Sequence, residues 1–220
     1  MAKFNRLTVY NRALETVIVP VFYHSDIAVA KQVVKACYDG GIRLFEFTNR
    51  GDFAHEVFGE LSKWVDTHCP EIILGVGTIM DAGTASLYLQ LGANFVVSPI
   101  LNPEIFRVCN RRQVGYIPGC CTVTEVSTAQ ELGAEIVKLF PAGTIGGPSF
   151  VKNIKGPMPW SNIMVTGGVE PTVENIQGWL DAGVSCVGMG SKLFPKEVIE
   201  TQKWDDITAL ATKLIQSIKR

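Results

Sequence analysis

The chain alternates between two kinds of segment along its whole length, and this alternation limits the folds that are open to it. Short runs rich in valine, isoleucine and phenylalanine are separated by amphipathic segments with helical periodicity. Eight runs predict strands, at residues 17–23, 43–49, 72–78, 95–101, 115–120, 136–142, 162–168 and 186–191. Intervening segments predict helices, among them residues 26–38, 53–65, 82–91, 103–112, 124–132 and 173–182. This order predicts an α/β protein, a single (β/α)8 TIM barrel, with a doubly wound open sheet as the alternative.

Several predicted helices end in a similar phrase that contains glycine: Gly40-Gly41, Leu91-Gly92-Ala93, Leu132-Gly133-Ala134 and Ala182-Gly183-Val184. A glycine just past a helix fits a left-handed C-terminal cap. A strand follows each phrase, so the same helix-to-strand loop is repeated around the predicted barrel. Residues 4–15 predict an extra N-terminal helix, and residues 195–218 a final helical stretch broken near Trp204-Asp205. Because no segment resembles a linker, we expect residues 1–220 to form one domain.

Charge and hydropathy exclude several classes of partner. The net charge is −1 and no basic stretch is dense enough to follow a phosphate backbone, so we expect no nucleic-acid partner. The apolar runs have the length of strands rather than of membrane spans, so we expect no membrane partner. The first residues lack the apolar core of a signal peptide, which favours a cytoplasmic location.

The six cysteines do not form a recognisable metal or disulfide framework. They contain no C-x-x-C pair, and the three histidines do not cluster with them in the sequence. A chain of this size with ample core residues does not need disulfides, so we expect reduced thiols and no zinc site.

Lys138 stands inside an otherwise apolar run, the sixth predicted strand. A strand buried on both faces is a costly place for an ammonium group. One interpretation is a surface lysine on a strand that happens to be apolar. The other is functional, because burial disfavours the charged form of an amine, and a neutral amine can attack a ketone to form a Schiff base.

The second predicted strand carries charged residues on the face that would point into the barrel. Period-two alternation places these residues together on that face: Leu44, Glu46, Thr48 and Arg50. Glu46 and Arg50 could simply neutralise each other as a buried pair. Alternatively, Glu46 moves protons and Arg50 binds a carboxylate of the substrate. Together with Lys138, these side chains suit catalysis on an anionic carbonyl compound better than they suit a stable core.

Glycine-rich turns follow the last two predicted strands, at Thr166-Gly167-Gly168 and Gly188-Met189-Gly190-Ser191. Loops at these two places in a TIM barrel commonly bind phosphate through exposed backbone N–H groups. The glycines could also serve only to make tight turns. Two further strands end in Gly75-Val76-Gly77-Thr78 and in Ser98-Pro99, which are common turn chemistry when taken alone.

Six phrases occur in a characteristic order and spacing: Phe45-Glu46-Phe47-Thr48-x-Arg50, Gly75-Val76-Gly77-Thr78, Ser98-Pro99, Lys138-Leu139-Phe140-Pro141-Ala142, Thr166-Gly167-Gly168 and Gly190-Ser191. Over nearly the whole chain, this arrangement resembles the 2-dehydro-3-deoxy-6-phosphogluconate (KDPG) and 4-hydroxy-2-oxoglutarate (KHG) aldolase family. The combination of K-x-F-P-A with E-x-x-x-R is the specific part of the resemblance.

The resemblance implies a class I aldolase, which is an aldehyde-lyase, on a (β/α)8 barrel. It implies that Lys138 is the Schiff-base lysine and Glu46 the general acid and base. It also implies a homotrimer that needs no metal and no other cofactor.

The resemblance implies the substrate-binding residues as well. Arg50 and Thr78 would hold the pyruvyl carboxylate, and Pro99 and Phe140 would form walls of the pocket. The implied phosphate ligands are Gly167, Gly168, Gly190 and Ser191.

The implied reaction is cleavage of KDPG to pyruvate and glyceraldehyde 3-phosphate, with KHG, cleaved to pyruvate and glyoxylate, as a second substrate. The chain departs from the usual family pattern at Ile100, Cys120-Cys121 and Val165. The alternatives to KDPG aldolase as the function of this chain are a 2-dehydro-3-deoxy-6-phosphogalactonate aldolase, a phosphate-binding barrel isomerase or synthase, and a non-catalytic sugar-phosphate sensor.

Overall fold

The computed structural model describes residues 2–218; Met1 and residues 219–220 lie outside the described part. Within it there are nine strands, Ile18–Phe22 (β1), Leu44–Thr48 (β2), Ile73–Gly77 (β3), Phe95–Val97 (β4), Gly115–Ile117 (β5), Gly119–Cys120 (β6), Val137–Leu139 (β7), Ile163–Thr166 (β8) and Cys186–Met189 (β9). The same residues form ten helices, Arg6–Thr16 (α1), Ile27–Asp39 (α2), Ala54–His68 (α3), Ala82–Gln90 (α4), Pro103–Arg111 (α5), Val123–Glu131 (α6), Gly147–Lys155 (α7), Val173–Asp181 (α8), Lys196–Glu200 (α9) and Trp204–Ser217 (α10).

The strands form one parallel sheet in the order β5-β4-β3-β2-β1-β9-β8-β7-β6. Only Pro118 separates β5, which pairs with β4, from β6, which pairs with β7. The sheet therefore closes through Pro118, and β5 and β6 are the two parts of one barrel strand. The predicted TIM barrel is confirmed, and the open-sheet alternative is wrong.

The prediction of one uninterrupted strand over residues 115–120 is wrong, because the strand is divided at Pro118. Proline has no N–H group to donate and interrupts a hydrogen-bonded ladder. Its carbonyl still accepts a bond from the Lys138 N–H group at 2.8 Å, so the strand remains attached to β7 at the point of division.

Helix α1 covers the N-terminal end of the barrel, and its Tyr10 completes the sheet there. The carbonyls of Pro118 and Cys120 accept bonds from β7, and Tyr116 lies two residues earlier on the same side of the strand. The Tyr10 hydroxyl accepts a bond from the Tyr116 N–H at 3.0 Å and donates to the Tyr116 carbonyl at 3.3 Å. Tyr10 thus satisfies both backbone groups where β7 does not reach them.

Two apolar clusters form the core. The lower barrel interior and one face of α1 share the first cluster: Val9, Tyr10, Ala13, Val19, Leu44, Ile73, Phe95, Val97, Ile117, Ile136, Met164 and Cys186. Phe45 and Phe47 belong to the second cluster, which includes residues of the sheet and of the surrounding helices. The predicted facing of the second strand is therefore confirmed for its apolar residues.

Most helix predictions agree with the structure within a few residues. The glycines after α2, α4, α6 and α8 have φ values of 93° to 102°, as expected for left-handed caps. The break before Trp204 separates α9 from α10. Helix α7 has no counterpart among the predicted helices, because Gly146, Gly147 and Pro148 at its start are typical of a turn. Within residues 2–218, no helix is both long and apolar enough to cross a membrane.

Replacement of Tyr10 by phenylalanine tests how the base of the barrel is completed. The variant leaves the Tyr116 N–H and carbonyl without their partner in a buried place, so we expect the free energy of unfolding to fall by about 1–3 kcal/mol. Chemical denaturation measures this change. Tyr38→Phe is the control, since its hydroxyl lies at the surface, 3.5 Å from Glu71, and its effect should stay within about 0.5 kcal/mol. Equal stabilities of the two variants would contradict this role of Tyr10.

Candidate active site

A cavity of about 270 Å³ opens at the C-terminal end of the barrel strands. Its lining comes from β1, β7, β8 and β9 and from the loops that follow β2, β7, β8 and β9: Val21, Arg50, Lys138, Phe140, Thr166, Gly167, Gly168, Val169, Gly188, Gly190, Ser191 and Lys192. A neighbouring cavity of about 300 Å³ shares Val21, Arg50, Gly190 and Ser191 with it. The structure therefore brings Lys138, Arg50 and both glycine-rich turns to one place, at the barrel end where enzymes of this fold have their active sites.

Lys138 lies in the middle of β7, between Val137 and Leu139, which pack in the cluster formed with the helices. Strand alternation therefore turns the lysine to the barrel interior. Only 6% of Lys138 is exposed, and its Nζ lies 5.2 Å from the centre of the Phe140 ring. The amine is thus confined to the wall of the cavity, away from bulk water.

Glu46 lies on β2 and is 1% exposed. Its carboxylate occupies the space above Gly77, where a Cβ atom would overlap Oε1. Burial raises the pKa of Glu46 above its ordinary value, and the positive charges of Lys138 and Arg50 act in the opposite direction. Among the described residues, no group hydrogen-bonds to Oε2. This carboxyl is therefore placed to exchange a proton with a molecule bound nearby.

Arg50 follows β2 by two residues and lies at the mouth of the barrel. It is exposed and borders both cavities. A guanidinium group in this position can form two parallel hydrogen bonds to a carboxylate. Arg50 therefore provides a binding group for an anion that enters from solvent.

The turn after β8 depends on glycine for both conformation and space. Gly167 and Gly168 have φ values of 80° and 91°, which favour glycine. A Cβ atom on Gly168 would lie 2.7 Å from the Cα atom of Gly143, in the loop after β7, and the Gly143 N–H donates to the Gly167 carbonyl at 2.8 Å. The two loops thus pack backbone against backbone beside the cavity.

Three of the residues singled out in the sequence do not border these two cavities. Glu46 lies in the barrel interior, as described above. Thr78 is half-buried, with a left-handed φ of 62°, in the loop after β3. Pro99 is also half-buried, and its backbone lies so close to Gly119 that a Cβ atom there would overlap it. Their proposed contacts with a substrate remain predictions.

Sequence reasoning did not assign a role to two polar side chains that line the cavity of about 270 Å³, Thr166 and Lys192. Thr166 is 6% exposed, and among the described residues nothing hydrogen-bonds to its Oγ1. It shares the inward face of β8 with Met164, so strand alternation could have identified it. Lys192 follows Ser191 directly and also lines the cavity. Its only signal in the sequence was its position next to a glycine-rich turn.

The site combines a confined amine, a buried carboxyl group with a raised pKa and a guanidinium at the entrance. An amine and a nearby proton carrier are the groups required for imine formation with a carbonyl compound. Within residues 2–218, no group of three or more His, Cys, Asp or Glu side chains is arranged to hold a metal ion.

The comparisons with known proteins agree with this chemistry. A family model described as KDPG and KHG aldolase matches residues 9–210. The 2-dehydro-3-deoxy-phosphogluconate aldolase of Pseudoalteromonas atlantica is 34% identical over 199 residues, which cover 90% of this chain and 89% of the relative. The KHG/KDPG aldolase of Escherichia coli is 31% identical over 203 residues, 92% of each chain.

A solved structure provides the same comparison in three dimensions. The KDPG aldolase of Legionella pneumophila, crystallised with pyruvate captured as a covalent carbinolamine intermediate, superposes with a TM-score of 0.83. It is 28% identical in sequence, and the match covers 92% of this chain and 96% of that chain. By the family model and the extent of these matches, the chain belongs to the KDPG and KHG aldolase family.

Proposed function

We propose that this protein is a class I aldolase, an aldehyde-lyase, that cleaves KDPG to pyruvate and glyceraldehyde 3-phosphate. The observation that carries the proposal is the position of Lys138, nearly buried and facing a cavity that Arg50 and two glycine-rich turns also border. The capture of pyruvate as a covalent carbinolamine in the Legionella relative supports the same chemistry.

In the proposed reaction, the Lys138 amine attacks the C2 ketone of the substrate to form a carbinolamine, which loses water to give a protonated imine. The imine accepts the electron pair of the C3–C4 bond when this bond breaks, while the C4 hydroxyl loses its proton. The aldehyde leaves, C3 of the enamine takes up a proton, and water hydrolyses the imine to release pyruvate and the free amine.

Glu46 is the proposed proton carrier of these steps. It would give a proton to the departing hydroxyl of the carbinolamine and take one from the C4 hydroxyl, directly or through a water molecule. A raised pKa suits both roles, because the group then exchanges protons closer to neutral pH than an ordinary carboxyl group does. The space above Gly77 allows the carboxyl group to lie over β3.

The remaining lining residues are proposed to orient the substrate. Arg50 and Thr78 would bind its carboxylate, with Pro99 and Phe140 as walls, so that the ketone meets the amine. Backbone N–H groups of Gly167, Gly168, Gly190 and Ser191 would bind the phosphate. The Thr166 hydroxyl, which lacks a partner among the described residues, is available to a substrate oxygen.

KHG is proposed as a second substrate because relatives of this length and similarity are named KHG/KDPG aldolase. Its distal carboxylate would occupy the end of the cavity that otherwise binds phosphate. A 2-dehydro-3-deoxy-6-phosphogalactonate aldolase of Escherichia coli is 37% identical, but the match covers only 59% of this chain. Assays with both C4 epimers would distinguish gluconate from galactonate specificity.

We also propose that residues 1–220 form a single aldolase domain and that three chains assemble into a homotrimer. Large apolar side chains are exposed in the segments that follow β2, β3, β4 and β6: Phe53, Met80, Ile100 and Val123. These strands are neighbours in the barrel, so the side chains lie on one side of its mouth. This patch supports contact with other copies, whereas the cytoplasmic location remains a prediction from the sequence.

Borohydride reduction in the presence of pyruvate tests the proposed imine. We expect a covalent adduct on the peptide that contains Lys138, detected by mass spectrometry, and we expect Lys138→Ala to fold normally while losing both adduct and turnover. Lys152→Ala, at an exposed position of α7, is the control and should behave as the wild type. An isomerase, a synthase or a sugar-phosphate sensor would form no adduct, and full activity of Lys138→Ala would contradict the mechanism.

Replacement of Glu46 by glutamine tests the proton carrier. The variant should still bind pyruvate, and we expect kcat to fall roughly 10²–10⁴-fold, the usual contribution of a positioned acid or base. Steady-state assays measure this loss, and a near-normal kcat would remove Glu46 from the mechanism.

Stability provides an independent measurement on the same variant. The folded protein holds the Glu46 proton above the ordinary pKa of 4.5, where the unfolded chain has already lost it. The free energy of unfolding of the wild type should therefore fall as the pH rises above the ordinary pKa of 4.5, relative to that of Glu46→Gln.

Light scattering in solution tests the proposed assembly. We expect the mass of three chains, and we expect Phe53→Asp to shift the mass toward one chain because it places charge in the exposed patch. Leu7→Asp is the matched control, since Leu7 is 70% exposed against 66% for Phe53 but lies on α1 at the opposite end of the barrel. A wild type with the mass of a single chain would exclude the homotrimer.

A further inference from the structure

Lys192 adds a side-chain cation to the end of the cavity that is formed by glycine-rich turns. It lies in the loop between β9 and α9 and borders the cavity together with Gly167, Gly168 and Ser191. Its Nζ lies 3.4 Å from Oε1 of Glu170, and 65% of the lysine side chain is exposed. The ion pair therefore connects the loop after β9 with the loop after β8, across the end of the cavity.

Glu170 places a negative charge at the same end. Its backbone N–H donates to Oδ1 of Asn175 on α8 at 2.8 Å, which holds this part of the loop in position. The Glu170 carboxylate is 47% exposed. Left without a cation, it would repel an anion that enters the cavity between the glycine-rich turns.

The pair between Lys192 and Glu170 can be exchanged readily. An exposed ion pair favours its bound arrangement by a factor of about five or less. A phosphate monoester carries a charge of about −1.5 to −2 at neutral pH and has three acceptor oxygens, so it attracts the ammonium group more strongly than a single carboxylate does. The flexible stem of lysine allows the group to move between two partners of adjacent loops.

We propose that Lys192 leaves Glu170 when substrate binds and contacts the terminal phosphate directly, so that it determines the preference for phosphorylated over unphosphorylated substrates. This inference rests on the proposed aldolase function and adds a side chain to the backbone N–H groups of the glycine-rich turns. Glu170 holds the lysine at the cavity until the phosphate arrives.

Lys192→Ala tests the direct contact. We expect KM for KDPG to rise roughly three- to fivefold with little change in kcat, the size of effect that a partly solvated charge pair provides. KM for unphosphorylated 2-dehydro-3-deoxygluconate should change less, and the inhibition constant of inorganic phosphate should rise with KM for KDPG. Lys196→Ala is the matched control, because Lys196 lies four residues away, pairs with Glu200 at 3.3 Å and does not border the cavity.

Glu170→Gln and the double variant distinguish direct contact from simple neutralisation of Glu170. If Lys192 binds phosphate, Glu170→Gln should lower KM for KDPG, and the double variant should remain weaker than Glu170→Gln alone. If Lys192 only neutralises Glu170, the double variant will match Glu170→Gln, and the proposal is overturned. Equal KM values for Lys192→Ala and Lys196→Ala would also overturn it.

Borohydride trapping separates failure of this inference from failure of the proposed function. An adduct with pyruvate on Lys138 in every variant, combined with no selective effect of Lys192→Ala, would reject the role of Lys192 and leave the aldolase proposal standing. Absence of the adduct in the wild type would reject both.

Discussion

Closure of the parallel sheet is the constraint on which the rest of this structure depends. A closed barrel gives every strand one face toward a narrow interior and one face toward the helices. The ring closes through Pro118, which joins β5 to β6, and Tyr10 of α1 satisfies the backbone of Tyr116 where the neighbouring strand does not reach. With the base filled by apolar side chains, the C-terminal end remains available for polar groups.

The upper interior places Glu46, Lys138 and Thr166 in surroundings where polar groups are costly. A carboxylate oxygen and a threonine hydroxyl there have no hydrogen-bond partner among the described residues. A stable core alone would have filled these positions with apolar side chains. The unsatisfied groups are consistent with a site whose stabilising contacts are completed by a substrate, in keeping with the proposed imine chemistry.

The mouth of the barrel carries two kinds of surface. The turns after β8 and β9 carry glycines, backbone N–H groups and the pair of Lys192 with Glu170. The segments after β2, β3, β4 and β6 instead expose large apolar side chains. An anion and a second copy of the chain can therefore be accommodated on opposite sides of the same opening, which is how we interpret the proposed substrate site and the proposed trimer.

The sequence by itself determined the alternation of strands and helices, the left-handed glycines after four helices and the placement of Lys138 and Glu46 on strand faces opposite their apolar neighbours, because these follow from local periodicity and backbone sterics. Only the tertiary structure decided where the ring closes, since pairing of Pro118 with β7 joins residues distant in the chain. It likewise decided that the hydroxyl of Thr166 lacks a partner and that Lys192 meets Glu170. These features depend on distances between separate segments of the chain, and the periodicity within one segment does not determine such distances.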